Sequence, residues 1–220
     1  MAAIEARELY RFYHAGTDET AALRGVSLAV EPGECVALMG PSGSGKSTLL
    51  ACLAGLDEPD GGHVEVLGER LSRRPEAARA AIRARHIGIL LQSANLLEHL
   101  TIADNIALPM HLAGGFKRDA VDQLLDEVGL AGRHQAFPSQ LSGGEAARAG
   151  LAVALATAPA ILIADEPTSE VDGETESRIL DHLAARCKTG MALLITTHSA
   201  SVAERATRVL HISDGRLTHA

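Results

Sequence analysis

The sequence predicts an α/β fold with a mostly parallel core sheet, an antiparallel β piece at its N-terminus and an inserted α-helical lobe. Three observations carry the prediction. The apolar run Cys35 to Met39 leads straight into the glycine-rich octapeptide Gly40-Pro41-Ser42-Gly43-Ser44-Gly45-Lys46-Ser47, after which Lys46 to Ala54 has helical character with Leu49, Leu50 and Leu53 on one side. Short apolar runs return at Ile87 to Leu91, Ile161 to Ala164, Ala192 to Thr196 and Arg208 to Ser213, with helices between the last three, the order that right-handed parallel crossovers produce. From Ala94 to about Ala158 no strand pattern appears, so the lobe of residues 94–158 is an insertion within one domain spanning 1–220.

In chain order, Ile4 to Tyr13 and Val26 to Val30 read as strands of the antiparallel piece, joined by the polar stretch Ala15 to Thr20. Glu31-Pro32-Gly33-Glu34 is a turn that bounds the strand Cys35 to Met39. Asp57-Glu58-Pro59-Asp60-Gly61-Gly62 is a second turn, and His63 to Leu67 alternates as a half-buried strand does. Arg70 to Arg85, rich in arginine and alanine, reads as a helix whose charges solvate one face. The lobe holds helices around Ile102 to His111, Lys117 to Val128 and Gly143 to Thr157, split by Gly114-Gly115 and by Phe137-Pro138.

The octapeptide matches the phosphate-loop pattern G-x-x-x-x-G-K-[ST] at every fixed position and sits between a strand and a helix, the context that gives the pattern its meaning. That places the fold among P-loop NTPases. Its three glycines let backbone N–H groups turn inward around an anion, and the helix N-terminus adds the positive end of its dipole. Lys46 is expected to reach the β- and γ-phosphates of ATP and Ser47 to hold Mg²⁺, with Thr48 completing the phosphate-binding set.

The totals narrow the field. A net charge of −8 over 220 residues disfavours a broad basic surface, and nucleic acid is not expected as a partner. Cys35, Cys52 and Cys187 are widely spaced without a C-x-x-C pair, which suits buried thiols in a reducing cytosol. The N-terminus has no signal-peptide core, and the longest apolar stretch, Ala149 to Ala164, is interrupted by Pro159 and falls short of the roughly 20 residues of a membrane span. A cytoplasmic chain that reaches a membrane only through a partner is expected.

Two further constellations bear chemistry. Ile161 to Ala164 runs into Asp165-Glu166, the form of a Walker B site: Asp165 is expected in the Mg²⁺ shell and Glu166 as the general base on the attacking water. Leu141-Ser142-Gly143-Gly144-Glu145 opens a helix. Ser142 and Glu145 make the capping-box pattern S-x-x-E, and the same helix start with its glycine amides is also a phosphate-binding surface. Both readings stand together, and periodicity does not say whose phosphate is met.

Gly40 to Ser47, Gln92, Leu141 to Glu145, Asp165-Glu166, Asp172 and Thr197-His198, in this order and spacing, resemble the nucleotide-binding subunit of an ABC transporter over essentially the whole chain. The resemblance implies a Mg²⁺-dependent ATPase that pairs head to tail with a second copy, so that Ser142, Gly143, Gly144 and Glu145 of one chain close over ATP on the phosphate loop of the other. It implies Tyr13, followed by His14-Ala15-Gly16, as the aromatic that stacks on adenine, although a core strand tyrosine is the other reading. Gln92 resembles the glutamine that senses Mg²⁺ and water where the membrane subunit docks, His198 the switch histidine, and Asp172 the aspartate at the dimer seam.

A finer likeness, in Leu53 to Asp57, Leu100 to Ile102 through Asn105 to Pro109, and Pro138 to Leu141, is to the branch of lipoprotein-releasing, macrolide-exporting and cell-division ATPases, whose permeases carry a large extracytoplasmic domain. This implies a peripheral subunit on the cytoplasmic face of the cell membrane. The chain departs from the branch at Ala146-Ala147, Val153 and Ser169-Glu170-Val171. The same motifs also permit a signalling motor whose membrane partner controls cell-wall enzymes. A soluble ATPase acting on DNA or ribosomes fits the acidic balance poorly.

Overall fold

In the computed structural model, which describes residues 1–15, 18–93, 95–169 and 171–219, the chain builds two sheets and a helical lobe. Gly16, Ala94 and Glu170, named above, lie outside the described residues. The first sheet is antiparallel, with strands β1 (Ile4–Ala15), β2 (Asp18–Val30), β4 (Gly61–Val66) and β5 (Glu69–Arg70) in the order β2-β1-β4-β5. The second holds β3 (Cys35–Met39), β6 (Ile87–Leu90), β7 (Ile161–Asp165), β8 (Ala192–Thr196), β9 (Arg208–Ser213) and β10 (Arg216–His219) in the order β10-β9-β3-β8-β7-β6. All its neighbours pair in parallel except β10, which folds back on β9.

Period-two alternation explains why the strands of the second sheet read as unbroken apolar runs. Ile161 and Ile163 of β7, Val36 and Leu38 of β3, and Ala192 and Leu194 of β8 point into one core, shared with the first sheet and helix α1 (Lys46–Leu53). Their neighbours Leu162, Ala164, Ala37, Leu193 and Ile195 point into the other, shared with α3 (Ile102–Leu112), α4 (Arg118–Glu127), α5 (Gly143–Leu155) and α6 (Gly173–Lys188). The sheet is therefore a wall buried on both faces, and its strand ends at Met39, Asp165 and Thr196 are the places where polar groups can emerge together.

Two elements differ from the expectation. β2 extends back to Asp18, so much of the presumed connector is strand; its ladder with β1 is broken by bulges on either side of Leu9 and between Arg11 and Phe12. The arginine-rich helix α2 begins only at Glu76, because Pro75 stands at its N-cap with φ −53° and the residue before a proline is pushed out of the helical region. Two of its arginines are paired rather than solvated, Arg79 with Glu58 and Glu76, and Arg83 with Glu76 and the Gly55 carbonyl, while Arg85 is exposed. α7 (Ala200–Arg205) and a 3₁₀ turn at Pro138–Gln140 complete the elements. No disulfide joins the three cysteines, and burial pushes the Cys52 thiol up to about 12.

One buried amide organises the entry to the lobe. Asn105, 3% exposed, donates to the carbonyls of Leu97, Leu100 and Thr101 and accepts from the Leu97 N–H, thereby closing the loop before α3. Asn105→Ala leaves these groups without their partner and is expected to cost about 2–3 kcal/mol. Thermal unfolding should show a Tm lower by roughly 4–12 °C; an unchanged Tm would mean that water replaces the amide without loss.

Candidate functional site

The glycine loop lies at the C-terminal end of β3, where the backbone must turn sharply. A side chain on Gly40 would strike the Ile212 carbonyl at 2.2 Å, and Gly45, at φ +106°, faces the Ala22 carbonyl at 2.5 Å, so neither position tolerates a Cβ. Gly45 is also the N-cap of α1 and supplies no side-chain cap, which leaves the first-turn N–H groups to face into the loop. Lys46, 7% exposed, donates from Nζ to the carbonyls of Gly40 at 2.8 Å and Pro41 at 3.0 Å, so its ammonium sits within the loop's own curve. Ser44 is anchored behind the loop: its carbonyl accepts from the Gly215 N–H, and its buried hydroxyl has no hydrogen-bond partner.

Around the loop opens a cleft of about 490 Å³. It is walled by Ser42, Gly43, Gly45, Lys46, Ser47 and Thr48 on the phosphate-loop side, by Tyr13 at one end, and by Gln92, Glu166 and His198 at the strand ends. Gly40, Pro41 and Ser44 support the loop from behind without lining the cleft. The β1–β2 sheet adds Thr20, Ala22 and Arg24, and the β9–β10 turn adds Asp214 and Gly215. None of these five was singled out in the sequence; Gly215, at φ +71° beside the Ala22 carbonyl, is the one carrying a local signal, an Asp-Gly turn between two strand runs.

At the end of β7 the two carboxylates part. Asp165 Oδ2 accepts from Ser47 Oγ at 3.0 Å, and Asp165 Oδ1 from Thr196 Oγ1 at 2.5 Å. Glu166 adopts φ +46°, a left-handed conformation that costs energy for a residue with a Cβ. It is held there because its N–H donates to Thr196 Oγ1 at 2.9 Å and lies 3.2 Å from the Thr196 carbonyl, while its own carbonyl accepts from Ser169 Oγ at 3.0 Å. The turn places Glu166 Oε1 2.9 Å from His198 Nε2. Ser169 is one of the departures noted above, and its hydroxyl here closes the turn behind Glu166.

Ser47 and Asp165, with the Gln92 amide across the same cleft, are oxygen donors of the hard type that suits Mg²⁺. Among the described residues no cluster of three or more His, Cys, Asp or Glu side chains exists. A cation taking one carboxylate and one hydroxyl here would draw its other ligands from water and substrate phosphates, the mode in which Mg²⁺ is usually held.

Gln92 and Glu166 also line a second depression, a groove of about 240 Å³ reaching Leu96, Pro138, Gly143, Ala146, Ala147 and Val171. The two side chains are thus the wall between cleft and groove. The Gln92 loop is fixed by Asn95, which exchanges two hydrogen bonds with the Leu91 backbone, at 2.8 and 2.7 Å, and presses its Cβ against Gly150 of α5.

At the start of α5 the structure shows the capping box that the S-x-x-E pattern predicts. Ser142 Oγ accepts from the Glu145 N–H and Glu145 Oε2 accepts from the Ser142 N–H, which completes the capping box. Those bonds, with Arg133 on Oε1, hold the Glu145 carboxyl below the usual carboxylate range. Gly143 is exposed and a Cβ there would meet nothing, whereas one on Gly144 would lie 3.2 Å from Thr175 Oγ1 of α6. Asp172 caps α6 with the N–H groups of Glu174 and Thr175 and the Thr175 hydroxyl, which hold its carboxyl low. Ser142 to Glu145 and Asp172 do not line the phosphate-loop cleft of their own chain. Of the other departures, Ala147, Val153 and Val171 are half-buried against the lobe's core.

Comparison with known proteins agrees with this geometry. The ABC transporter family profile matches residues 23–169. The chain is 44% identical over 211 residues to the lipoprotein-releasing system ATP-binding protein LolD of Ruegeria pomeroyi, covering 94% of this chain and 92% of that one. It is 41% identical over 218 residues to the uncharacterized ABC transporter ATP-binding protein YbbA of Escherichia coli, covering 97% and 96%. Among solved structures, the ATP-binding cassette MJ0796, a dimer in a post-hydrolysis state with ADP and Pi, superposes with a TM-score of 0.93 at 31% identity over 98% of this chain and 97% of that one.

Proposed function

The chain belongs to the ABC transporter family as an ATP-binding, ATP-hydrolysing subunit, and from that membership we propose that two copies close head to tail over two ATP and power the extraction or export of a substrate by a separate membrane permease. The observation that carries the proposal is where the N-terminus of α5 lies. Ser142 and the exposed Gly143, at the first position of α5 where an N–H has no intrahelical partner, form an anion-ready helix start that does not line its own chain's cleft, so the phosphate it serves lies on another copy. LolD, whose name ties it to lipoprotein release, and the dimeric cassette with ADP and Pi are both close enough in sequence to support this reading. Among the described residues no helix is long and apolar enough to cross a membrane, which fits a peripheral subunit held at the cytoplasmic face by its permease.

In this mechanism Tyr13 stacks on adenine, and the loop amides with Lys46 bind the β- and γ-phosphates. Mg²⁺, held by Ser47 and Asp165 with Gln92 nearby, would neutralise phosphate charge. Glu166 takes the proton of the attacking water. His198, 2.9 Å from Glu166 Oε1, orients that carboxylate and faces the γ-phosphate. Asp172 stiffens the seam by capping α6 next to Gly144. ATP binding favours the closed pair and hydrolysis releases it, so the cycle does work through the differing affinity of ATP for the two states. Because Gln92 and Glu166 form the wall of the neighbouring groove, a permease segment seated in that groove would feel the cleft close.

The test is to capture partners with tagged Glu166→Gln chain and ATP from detergent-solubilised membranes of the native host. A permease with a large extracytoplasmic domain is the expected partner. A membrane protein tied to cell-wall hydrolases would instead identify a signalling motor, and recovery of soluble partners alone would overturn the transporter role.

A further inference from the structure

We propose that Arg11 is a positioning residue for nucleobase binding: stacked on the ring of Tyr13 and locked by Asp57 and Asp60, it holds the tyrosine as a fixed platform and ties that platform to the phosphate-loop helix. The proposal rests on the reading of Tyr13 as the adenine-stacking residue. Tyr13 is exposed, and nothing in a strand edge by itself fixes such a ring. Here both its face and its hydroxyl are held. The Arg11 guanidinium carbon lies 4.8 Å from the ring centroid, and Tyr13 Oη donates to Asp57 Oδ2 at 2.9 Å.

The guanidinium is held in turn. Its Nε and Nη2 donate to the two oxygens of Asp57 at 2.8 and 2.9 Å, the planar two-pronged geometry that only arginine offers, and its Nη1 reaches Asp60 at 3.1 Å. Asp60 also accepts from the Phe12 N–H at 2.8 Å, and its N–H donates to the Tyr10 carbonyl, so it grips the β1 backbone on both sides of Arg11. Arg11 and Tyr13 are two apart on β1, on either side of the break in its ladder between Arg11 and Phe12.

Arg11 itself does not line the cleft, whereas Tyr13 does. One side of the ring is thus taken by the cation and the other is presented to the nucleotide. Asp57 lies just past the C-cap of α1, Ala54, and its N–H donates to the Ala51 carbonyl within that helix. The carboxylate that orients the tyrosine therefore rides on the helix whose first turn holds the phosphates. Base and triphosphate subsites are set at a fixed separation, and the entropy of ordering an exposed ring is met before ATP arrives.

The experiment compares equilibrium binding of ATP with that of inorganic tripolyphosphate, which has no base. Arg11→Met is expected to weaken ATP about 5- to 10-fold, within the range of one lost cation–π and stacking contribution, and to leave tripolyphosphate unchanged. Steady-state kinetics should show the loss in KM with kcat preserved. In a Tyr13→Ala background the same substitution should add little, because Arg11 acts through the ring. Equal weakening of both ligands, or full additivity with Tyr13→Ala, would overturn the proposal. Should Arg11→Met lower Tm markedly, Arg11→Lys keeps a charge opposite Asp57 and Asp60 while losing the planar stack, and the same selective loss is required of it. If Tyr13→Ala alone leaves ATP affinity intact, the platform reading fails with its support; if Tyr13→Ala weakens ATP and both Arg11 variants do not, the role of Arg11 alone fails.

Discussion

Glu166→Gln is expected to slow ATP hydrolysis by about 10²- to 10⁴-fold, the usual worth of a general base, while ATP continues to bind. The substitution removes the capacity to take a proton and little else. Glutamine has the same shape, its backbone would keep the bonds to Thr196, and its carbonyl oxygen would still face His198. Asp165, which bonds Ser47 and Thr196, is untouched, so the phosphate subsite stays intact. Blocked hydrolysis with intact binding should hold the closed pair. Gel filtration with Mg-ATP should therefore show a dimer that disappears without nucleotide. A loss of less than about fivefold would move the base elsewhere, with His198 the nearest other group. A variant that is inactive yet monomeric under ATP would instead contradict head-to-tail closure.

Much of this site was legible because its chemistry is local in sequence. The glycine loop carries its own explanation in Gly40, Gly45 and Lys46, and Asp165-Glu166 announces itself by ending an apolar strand. The doubly buried sheet likewise follows from runs such as Ile161 to Ala164, which only a two-faced core can satisfy. What stayed hidden depends on distant approach. Arg11 and Asp57 stand 46 positions apart, and no pattern in either neighbourhood foretells their pairing. Arg24, Asp214 and Gly215 reach the cleft because β2 and the β9–β10 turn meet there, the Arg24 N–H donating to the Gly215 carbonyl. Asn95 has its role through a backbone loop closed on itself, which composition does not reveal. The start of α2 was within reach, since Pro75 marks it by the ordinary restriction on the residue before proline.

Lys46→Ala should act on binding rather than on turnover. The ammonium is buried and already oriented by two loop carbonyls, at 2.8 and 3.0 Å, so little freedom is lost when phosphate oxygens arrive. Two charge-assisted bonds to the β- and γ-phosphates, at about 1.5–3 kcal/mol each, would amount to 10²-fold or more in ATP affinity. The loss should be clear for ATP and for tripolyphosphate alike, in contrast to the Arg11 variants, whose effect is confined to the base. That contrast separates the two ends of the cleft by ligand rather than by residue. Because alanine also removes a donor from the Gly40 and Pro41 carbonyls, Lys46→Arg serves as the companion variant: it retains a cation, but a bulkier planar one that cannot fit inside the loop, and affinity should fall again. A Lys46→Ala chain that folds normally and binds ATP as the parent does would contradict the assignment of the glycine loop as the phosphate site, and with it the direction in which α5 of the second copy must point.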